Sequence, residues 1–514
     1  MKKREGNTWD NLYPISLVQN IFNDTGESLT AILESVNETV NTKSSQTQVN
    51  SLETIVNTKA SQTNVNNLET TVATVDSQLK DLAINVKDYG AKGNNSADDS
   101  SAIQNALDFA HTQSGGTVYI PKGTYLINQG LVIYAQTTLL LEKNTVIKRN
   151  ANITYMIING LTDVNGYDGE SNITIDGGVW EGNAPNFPTN VTPIAFGHCR
   201  NIIIQNLKVR GVYAWHNIEL NSTFNGLITN CVLEGMQETA STREIIQLDL
   251  AGTGGAFPWY GNYDNTPCKK IIIEKNTLQN GKCAGIGSHS NRPNTTHTDI
   301  TIRDNYFYNL DEEAIMGDNY EHTLVENNYI DKCGRGIIFE AFENMKCKNI
   351  TVRDNSITNI DKNTNGRGIA FTGKSDGSAK IIDSLIEGNY IADISKHGLG
   401  IDYCDAITVK DNVIKRTHSV GIWSYFSDRT SIIGNKVSES YQSNASETDL
   451  DIRINLGSAL PYSKSILIVN NRASIRVKNA ENTLITGNIS NEINEYDNGS
   501  ITVANNIIAT VWTP

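Results

Sequence analysis

Between Gly285 and Tyr425 the chain repeats a short step in which Gly or Ala precedes an apolar residue: Gly285-Ile286, Ala314-Ile315, Gly336-Ile337, Gly368-Ile369, Gly398-Leu399 and Gly421-Ile422. Four residues after each Gly or Ala stands a second set, His289, Asp318, Glu340, Thr372, Asp402 and Tyr425, and the upstream run Ile245-Ile246-Gln247-Leu248 adds Asp249 to it. If these segments stack as rungs, the set becomes a polar stripe with carboxylates on adjacent strands. Two carboxyl groups that close resist ionising together, so one becomes an acid and the other a base or nucleophile. Retaining glycosidases need roughly 5–5.5 Å between such carboxyls and inverting ones roughly 6.5–9.5 Å, and neighbouring or next-but-one rungs could meet either requirement. His289 beside Asp318 could instead shuttle a proton in phosphodiester cleavage. No cofactor is firmly implied, although a carboxylate cluster of this kind could hold a divalent cation. Acidic residues on an exposed sheet are ordinarily just solvated; against that, the pattern nominates Asp318, Glu340, His289, Asp249 and Asp402 as catalytic candidates.

One place earlier in the repeat stand Glu313, Arg335, Arg367 and His397. Their alternating signs suggest a structural ladder, within which Arg335 and Arg367 are the best contacts for an anionic substrate. Trp215, Trp259, Tyr320 and Trp423 could stack on sugars, with core or loop packing as the competing role. His216, His322 and His418 stand apart from the repeat and read as incidental. The chain carries no G-x-S-x-G, Walker A or zinc-ligand spacing.

The elements that must position these residues are short strands. Alternation along a strand points Ile286, Ile315, Ile337, Ile369, Leu399 and Ile422 inward together with Ser288, Gly317, Phe339, Phe371, Ile401 and Ser424, and sends the polar set outward. β-rich runs ending in Asn recur at Asn206, Asn276, Asn305, Asn328, Asn355, Asn389, Asn412, Asn435, Asn471 and Asn506, with spacings of 29, 23, 27, 34, 23 and 23 residues from Asn276 to Asn435. A period of this size is a solenoid signature. Asn tolerates the left-handed conformation, which gives a stacked Asn at each bend a physical reason. Rungs about 4.8 Å apart would build a column roughly 60 Å long. The longest protruding loop should run from Ala251 to Pro267, rich in Gly and aromatics.

Upstream, Asn85-Val86-Lys87-Asp88-Tyr89-Gly90-Ala91-Lys92-Gly93 leads into a helix that Asp98, Asp99 or Ser100 can cap and whose Ile103, Ala106, Leu107 and Ala110 face inward. Gly115-Gly116-Thr117-Val118-Tyr119-Ile120-Pro121-Lys122-Gly123-Thr124-Tyr125 then reads as strand, turn and strand. This passage resembles the opening of the pectate-lyase-like family of polysaccharide-degrading β-helix enzymes and phage tailspikes. The resemblance implies an all-β, right-handed parallel β-helix capped at its N-terminal end by that helix. One such scaffold hosts lyases, hydrolases and phosphodiesterases, and the paired Asp-Asp signature of polygalacturonases is missing here, so the resemblance assigns no catalytic residue.

Residues 1–24, with Trp9, Leu12, Tyr13, Ile15, Leu17, Val18, Ile21 and Phe22, read as a docking segment. Across 25–83, apolar residues step by threes and fours (Leu29, Leu33, Val36, Val40; Val65, Leu68, Val72, Val75, Leu79, Leu82) around a duplicated block of period 16. That pattern predicts a segmented, self-associating α-helical coiled-coil stalk before the β-helix of 84–514. Met1-Lys2-Lys3-Arg4 opens like a signal peptide, but Asn7, Asp10, Asn11, Gln19 and Asn20 interrupt any apolar run, so ordinary secretion is not expected. No run is long enough for a membrane span. A net charge of −14 disfavours nucleic acid as partner while leaving an acidic glycan open. Seven cysteines without a C-x-x-C pair read as small apolar fillers, Cys199, Cys268, Cys347 and Cys404 each preceding an Ile by three residues.

Docking segment, stalk and β-helix together resemble phage tailspikes and pre-neck appendage proteins. Members are typically homotrimers fixed to tail or collar proteins by the N-terminus. The resemblance implies a virion tail protein that binds and depolymerises a host surface glycopolymer: capsule, exopolysaccharide or wall teichoic acid. The expected reaction is hydrolysis of a glycosidic or phosphodiester bond, with lyase chemistry less favoured. A non-catalytic receptor-binding spike is the alternative of a different class. A secreted bacterial pectate lyase or polysaccharide hydrolase is a third, disfavoured by the stalk and the interrupted leader.

Overall fold

The computed structural model describes residues 31, 66–67, 70–71 and 83–508, apart from 161–162, 239–242, 253–260, 289–291, 343, 363–364, 441–450, 455–462, 491–492 and 497–498. The chain divides into a unit of Met1–Ile84 and a unit of Asn85–Pro514. In the first, the described residues 31, 66–67 and 70–71 are helical; the docking segment and the rest of the stalk lie outside the described residues, as do His289 and Trp259.

The second unit is a parallel β-helix. Strands of one large sheet pair in parallel with the strand one turn later in the chain. Each full turn has three sides, here called first, second and third by order after the third side of the turn before. The first carries the Ile-rich runs, such as His297–Arg303. The second follows the Asn bend, as in Ser356–Ile360. The third carries the candidate site, as in Ile369–Thr372 and Leu399–Asp402. Long strands such as Tyr306–Asp318 and Tyr329–Glu340 span the second and third sides.

At the start, the helix Ser100–Thr112 buries Ile103, Ala106, Leu107 and Ala110, as the spacing predicts, and packs on the strands Gly116–Ile120, Leu131–Ile133 and Thr137–Leu141. Asp99 is the N-cap residue, but its carboxylate is turned back to accept from the Lys92 and Gly93 amides; Asp98 accepts from the Ser100 amide instead.

The core is a set of stacked columns. Ile286, Ile315, Ile337, Ile369, Leu399 and Ile422 are fully buried, and Ser288, Phe339, Phe371, Ile401 and Ser424 form the next inward column. Phe339 and Phe371 meet edge to face at 5.7 Å. The small residue before each Ile has a steric cause. A side chain at Gly336 would strike the Gly368 carbonyl, one at Gly368 would stand 2.5 Å from the Gly398 carbonyl, and one at Gly398 2.7 Å from that of Gly421.

The recurring Asn has a different cause from the one expected. Asn276, Asn305, Asn328, Asn355, Asn389, Asn412, Asn435 and Asn471 are at most 2 % exposed. Each takes the backbone N–H and side-chain amide of the Asn one turn earlier on its own Oδ1, or offers both to the next, at 2.8–3.1 Å. Asn488, outside the expected set, continues the ladder to Asn506. The left-handed residue is the one before: Lys275, Asp304, Asn327, Asp354, Gly388, Asp411, Gly434, Asn470, Gly487 and Asn505 all have positive φ. Asn206 is a left-handed residue of this second kind, with φ of 58°. A turn later, Cys231 fills the ladder slot and its amide donates to Asn276 Oδ1 at 2.9 Å.

All seven cysteines are free and buried, and their thiols are pushed up by burial, to about 12 for Cys199, Cys231, Cys283, Cys333 and Cys347. They act as small core fillers, in keeping with the spacing of Cys199, Cys268, Cys347 and Cys404.

Candidate functional site

The third side places the polar set in one column. Asp318 is the register partner of Glu340, Glu340 of Thr372, Thr372 of Asp402, and Asp402 of Tyr425. Upstream, Asn221 pairs with Asp249, and the strand of Asp249 pairs onward through Ile246 with Ile286 and Gln247 with Gly287. The column is sheltered rather than freely solvated: Asp318 is 5 % and Asp402 8 % exposed, while Asp249, Glu340, Thr372 and Tyr425 are half-buried.

The arginines sort the carboxylates. Arg335 is the register partner of Glu313 and forms an ion pair with it; the Glu313 carboxylate is almost wholly buried. Arg367 Nη1 donates to Asp402 Oδ2 at 2.7 Å. Burial pulls the Arg335 guanidinium below its ordinary range, opposed by the charges of Glu340 and Glu312. Burial also raises the Glu312 carboxyl, with Arg335 opposing. Among the described residues the Glu340 carboxylate accepts no hydrogen bond and joins no ion pair. It is the carboxylate of the column left uncommitted beside a cation.

Three of the expected sugar-contacting aromatics can be placed. Tyr320 is a correction: at 1 % exposure its ring packs against His297 at 5.2 Å and Phe339 at 5.9 Å, so it belongs to the core and presents no face to a groove. Trp215 is half-buried with a φ of 88°, and the Arg243 guanidinium lies 5.9 Å from its ring centre. Beyond Asp402, His397 stacks on Trp423 at 5.2 Å and Trp423 on Tyr425 at 5.7 Å. Burial, with Arg367 nearby, holds the His397 imidazole down at about 3, so it is neutral in ordinary buffers.

The spacing argument missed a polar group on the strand of Asp249 and on the strand one turn before it. Glu219 pairs in register with Gln247, one column over from Asn221 and Asp249. Glu219, Asn221, Glu244 and Gln247 are at most 6 % exposed. His216, read as incidental, joins them: its Nδ1 lies 3.0 Å from the Glu244 carbonyl and 3.5 Å from its carboxylate. The legible signal was the match of Ile218-Glu219-Leu220-Asn221 to Ile246-Gln247-Leu248-Asp249. As for a cation, no three His, Cys, Asp or Glu side chains among the described residues are grouped to hold a metal ion.

Comparison with known proteins agrees with this fold. Residues 83–338 match the family described as rhamnogalacturonase A/epimerase, pectate lyase-like. This stretch is a pectate lyase-like domain. Residues 341–449 match the family described as periplasmic copper-binding protein (NosD). Plasmin and fibronectin-binding protein A of Streptococcus pneumoniae (strain ATCC BAA-255 / R6) is 27 % identical over 295 residues, 51 % of this chain and 41 % of that protein. The preneck appendage protein of Bacillus phage PZA is 24 % identical over 335 residues, 62 % of this chain and 34 % of that protein. The matches thus span less than half the length of these relatives. Among solved structures, a mutant tailspike protein of E. coli bacteriophage HK620, in complex with pentasaccharide, has the same fold, with a TM-score of 0.57, 12 % identity and coverage of 83 % of this chain and 81 % of that one.

Proposed function

We propose that this protein is a phage appendage or tailspike subunit that binds a host cell-surface glycopolymer (wall teichoic acid, capsule or exopolysaccharide) and depolymerises it by hydrolysis. The observation that carries the reading is the register pair Asp318 and Glu340, one buried and one half-exposed, with Glu340 free of other partners. Two carboxyls in unlike surroundings on adjacent strands are suited to divide acid and base roles across a glycosidic or phosphodiester bond. Asp249 lies in the same column as an auxiliary group, and His289 belongs to it by sequence. Asp402, tied to Arg367, orients the arginine rather than moving a proton. In this reading Arg335 and Arg367, whose side chains are each partly exposed, donate to an anionic substrate.

The phage role is supported by the preneck appendage relative, and the glycan chemistry by the rhamnogalacturonase/epimerase match. In this reading the protein is a homotrimer held on the virion tail or collar by residues 1–24 and the stalk, and it acts at the host surface. A non-catalytic receptor-binding spike is the second reading, favoured by the match to a plasmin and fibronectin-binding protein. Incubating the protein with host walls and capsule, and assaying for released oligosaccharide or glycerol phosphate, separates the two. Release that disappears in Glu340→Gln supports the enzyme; adsorption without release from every host polymer supports the spike.

A further inference from the structure

Glu219, Asn221, Glu244 and Gln247 form a buried polar group of two carboxylates and two amides. Asn221 Nδ2 donates to Glu219 Oε1 at 3.3 Å, and Gln247 Nε2 donates to Asp249 Oδ2 at 3.0 Å. Each amide thereby spends an N–H on a neighbouring carboxylate, and both amide oxygens are left over. Asn221 Oδ1 and Gln247 Oε1 have no hydrogen-bond partner, at 2 % and 4 % residue exposure. A buried acceptor without a donor is costly in the free protein, and each such group calls for an explanation, a bound donor among them.

The surroundings narrow the ligand. One turn earlier in register, Glu219 follows Ala195, and Ala195 follows Ile158, two buried apolar residues with Val132 and Tyr155 packed against them. The half-buried Asp249 accepts from Gln247, and Arg243, which feels the charges of Glu244 and Glu219, lies 5.9 Å from the ring centre of Trp215. A wall of acceptors beside an apolar patch and an indole matches a molecule with hydroxyl donors on its edge and C–H groups on its face. A bare cation would find no use for the apolar side.

Resting on the proposed function, we infer that this group is a saccharide subsite, with Asn221 Oδ1 and Gln247 Oε1 accepting hydroxyl protons from a neutral sugar unit of the polymer. It lies on the same face as Asp318 and Glu340, toward the N-terminal end of the column. The polymer's neutral unit sits here while the bond to be cleaved lies at Glu340.

The test measures binding without turnover. Full-length protein carrying Glu340→Gln is titrated by calorimetry with a panel of neutral oligosaccharides released from host wall and capsule, with a glucosamine trimer, and with calcium chloride. The expected result is saturable binding of a neutral oligosaccharide that weakens at least tenfold in Gln247→Leu and in Asn221→Leu, each checked for folding by circular dichroism. Gln247→Glu, which keeps an acceptor, should retain more affinity than Gln247→Leu. Neutral-sugar binding unchanged by these substitutions overturns the inference, as does no binding from the whole panel, or a preference for the glucosamine trimer or calcium. If Glu340→Gln still releases product while Gln247 governs binding, the subsite stands and the assignment of the reaction centre falls.

Discussion

Arg367 reaches across one turn of the β-helix to Asp402 and holds it at 2.7 Å. Two carboxylates that look equivalent in the repeat, Asp402 and Glu340, are thereby made unequal: one is neutralised within the structure and the other is left to its surroundings.

Catalysis should therefore depend unequally on the column. Glu340→Gln and Asp318→Asn should each reduce polymer release by about 10²-fold or more, the scale of a lost general acid or base. Asp402→Asn should reduce it less and act through substrate affinity, because it frees Arg367. Release assays over a range of polymer concentrations give the two patterns, and full activity in Glu340→Gln sinks the assignment.

Acid should weaken the fold. Burial holds the imidazoles of His297 and His397 down at about 3, against about 6.5 in an unfolded chain. Above pH 6.5 both states are neutral and neither residue contributes a pH dependence. Between pH 6.5 and 3 the unfolded chain binds protons that the folded one does not, so stability falls with pH by at most about 1.4 kcal/mol per unit for each histidine. Melting temperatures at pH 7 and pH 5 should differ, and His397→Gln should narrow the gap.

The Asn ladder should be among the most sensitive positions in the chain. Asn389→Ala removes the acceptor for two donors of Asn355 and leaves a cavity, at a cost of about 2–5 kcal/mol. Asn506→Ala, at a half-buried site, should cost less. Urea denaturation of the two variants gives the comparison, and equal losses would count against the ladder as a source of stability.

The thiols should be silent. All seven are buried with raised proton affinities, so iodoacetamide near pH 8 should label none in the native protein and all in denaturant. Labelling of any single cysteine in native conditions, read by mass spectrometry, would show that its side of the solenoid opens.

Much of the scaffold was legible because a solenoid writes its geometry as a period. Gly336, Gly368 and Gly398 recur where backbones nearly touch, and the alignment of Asp318 with Glu340 follows from that recurrence. What the period hides is anything decided between columns. That Asp402 is paired, that Tyr320 turns inward and that His216 meets Glu244 depend on side chains from different turns. Asn206 was misplaced by one residue for a related reason, since a left-handed Asn and a ladder Asn look alike in sequence while doing different work.

The ladder's amides all run the same way. From Asn276 onward each side-chain oxygen accepts from the turn before, one N–H donates to the Asn of the turn after, and the amide nitrogen also donates back to a backbone carbonyl of the turn before, so the carbonyl ends all face the start of the solenoid. Aligned amides polarise one another, and their dipoles add along the axis much as peptide dipoles add along a helix. The column is thus an electret built from side chains: a standing polarity inside an otherwise apolar core, set by the direction in which the chain winds.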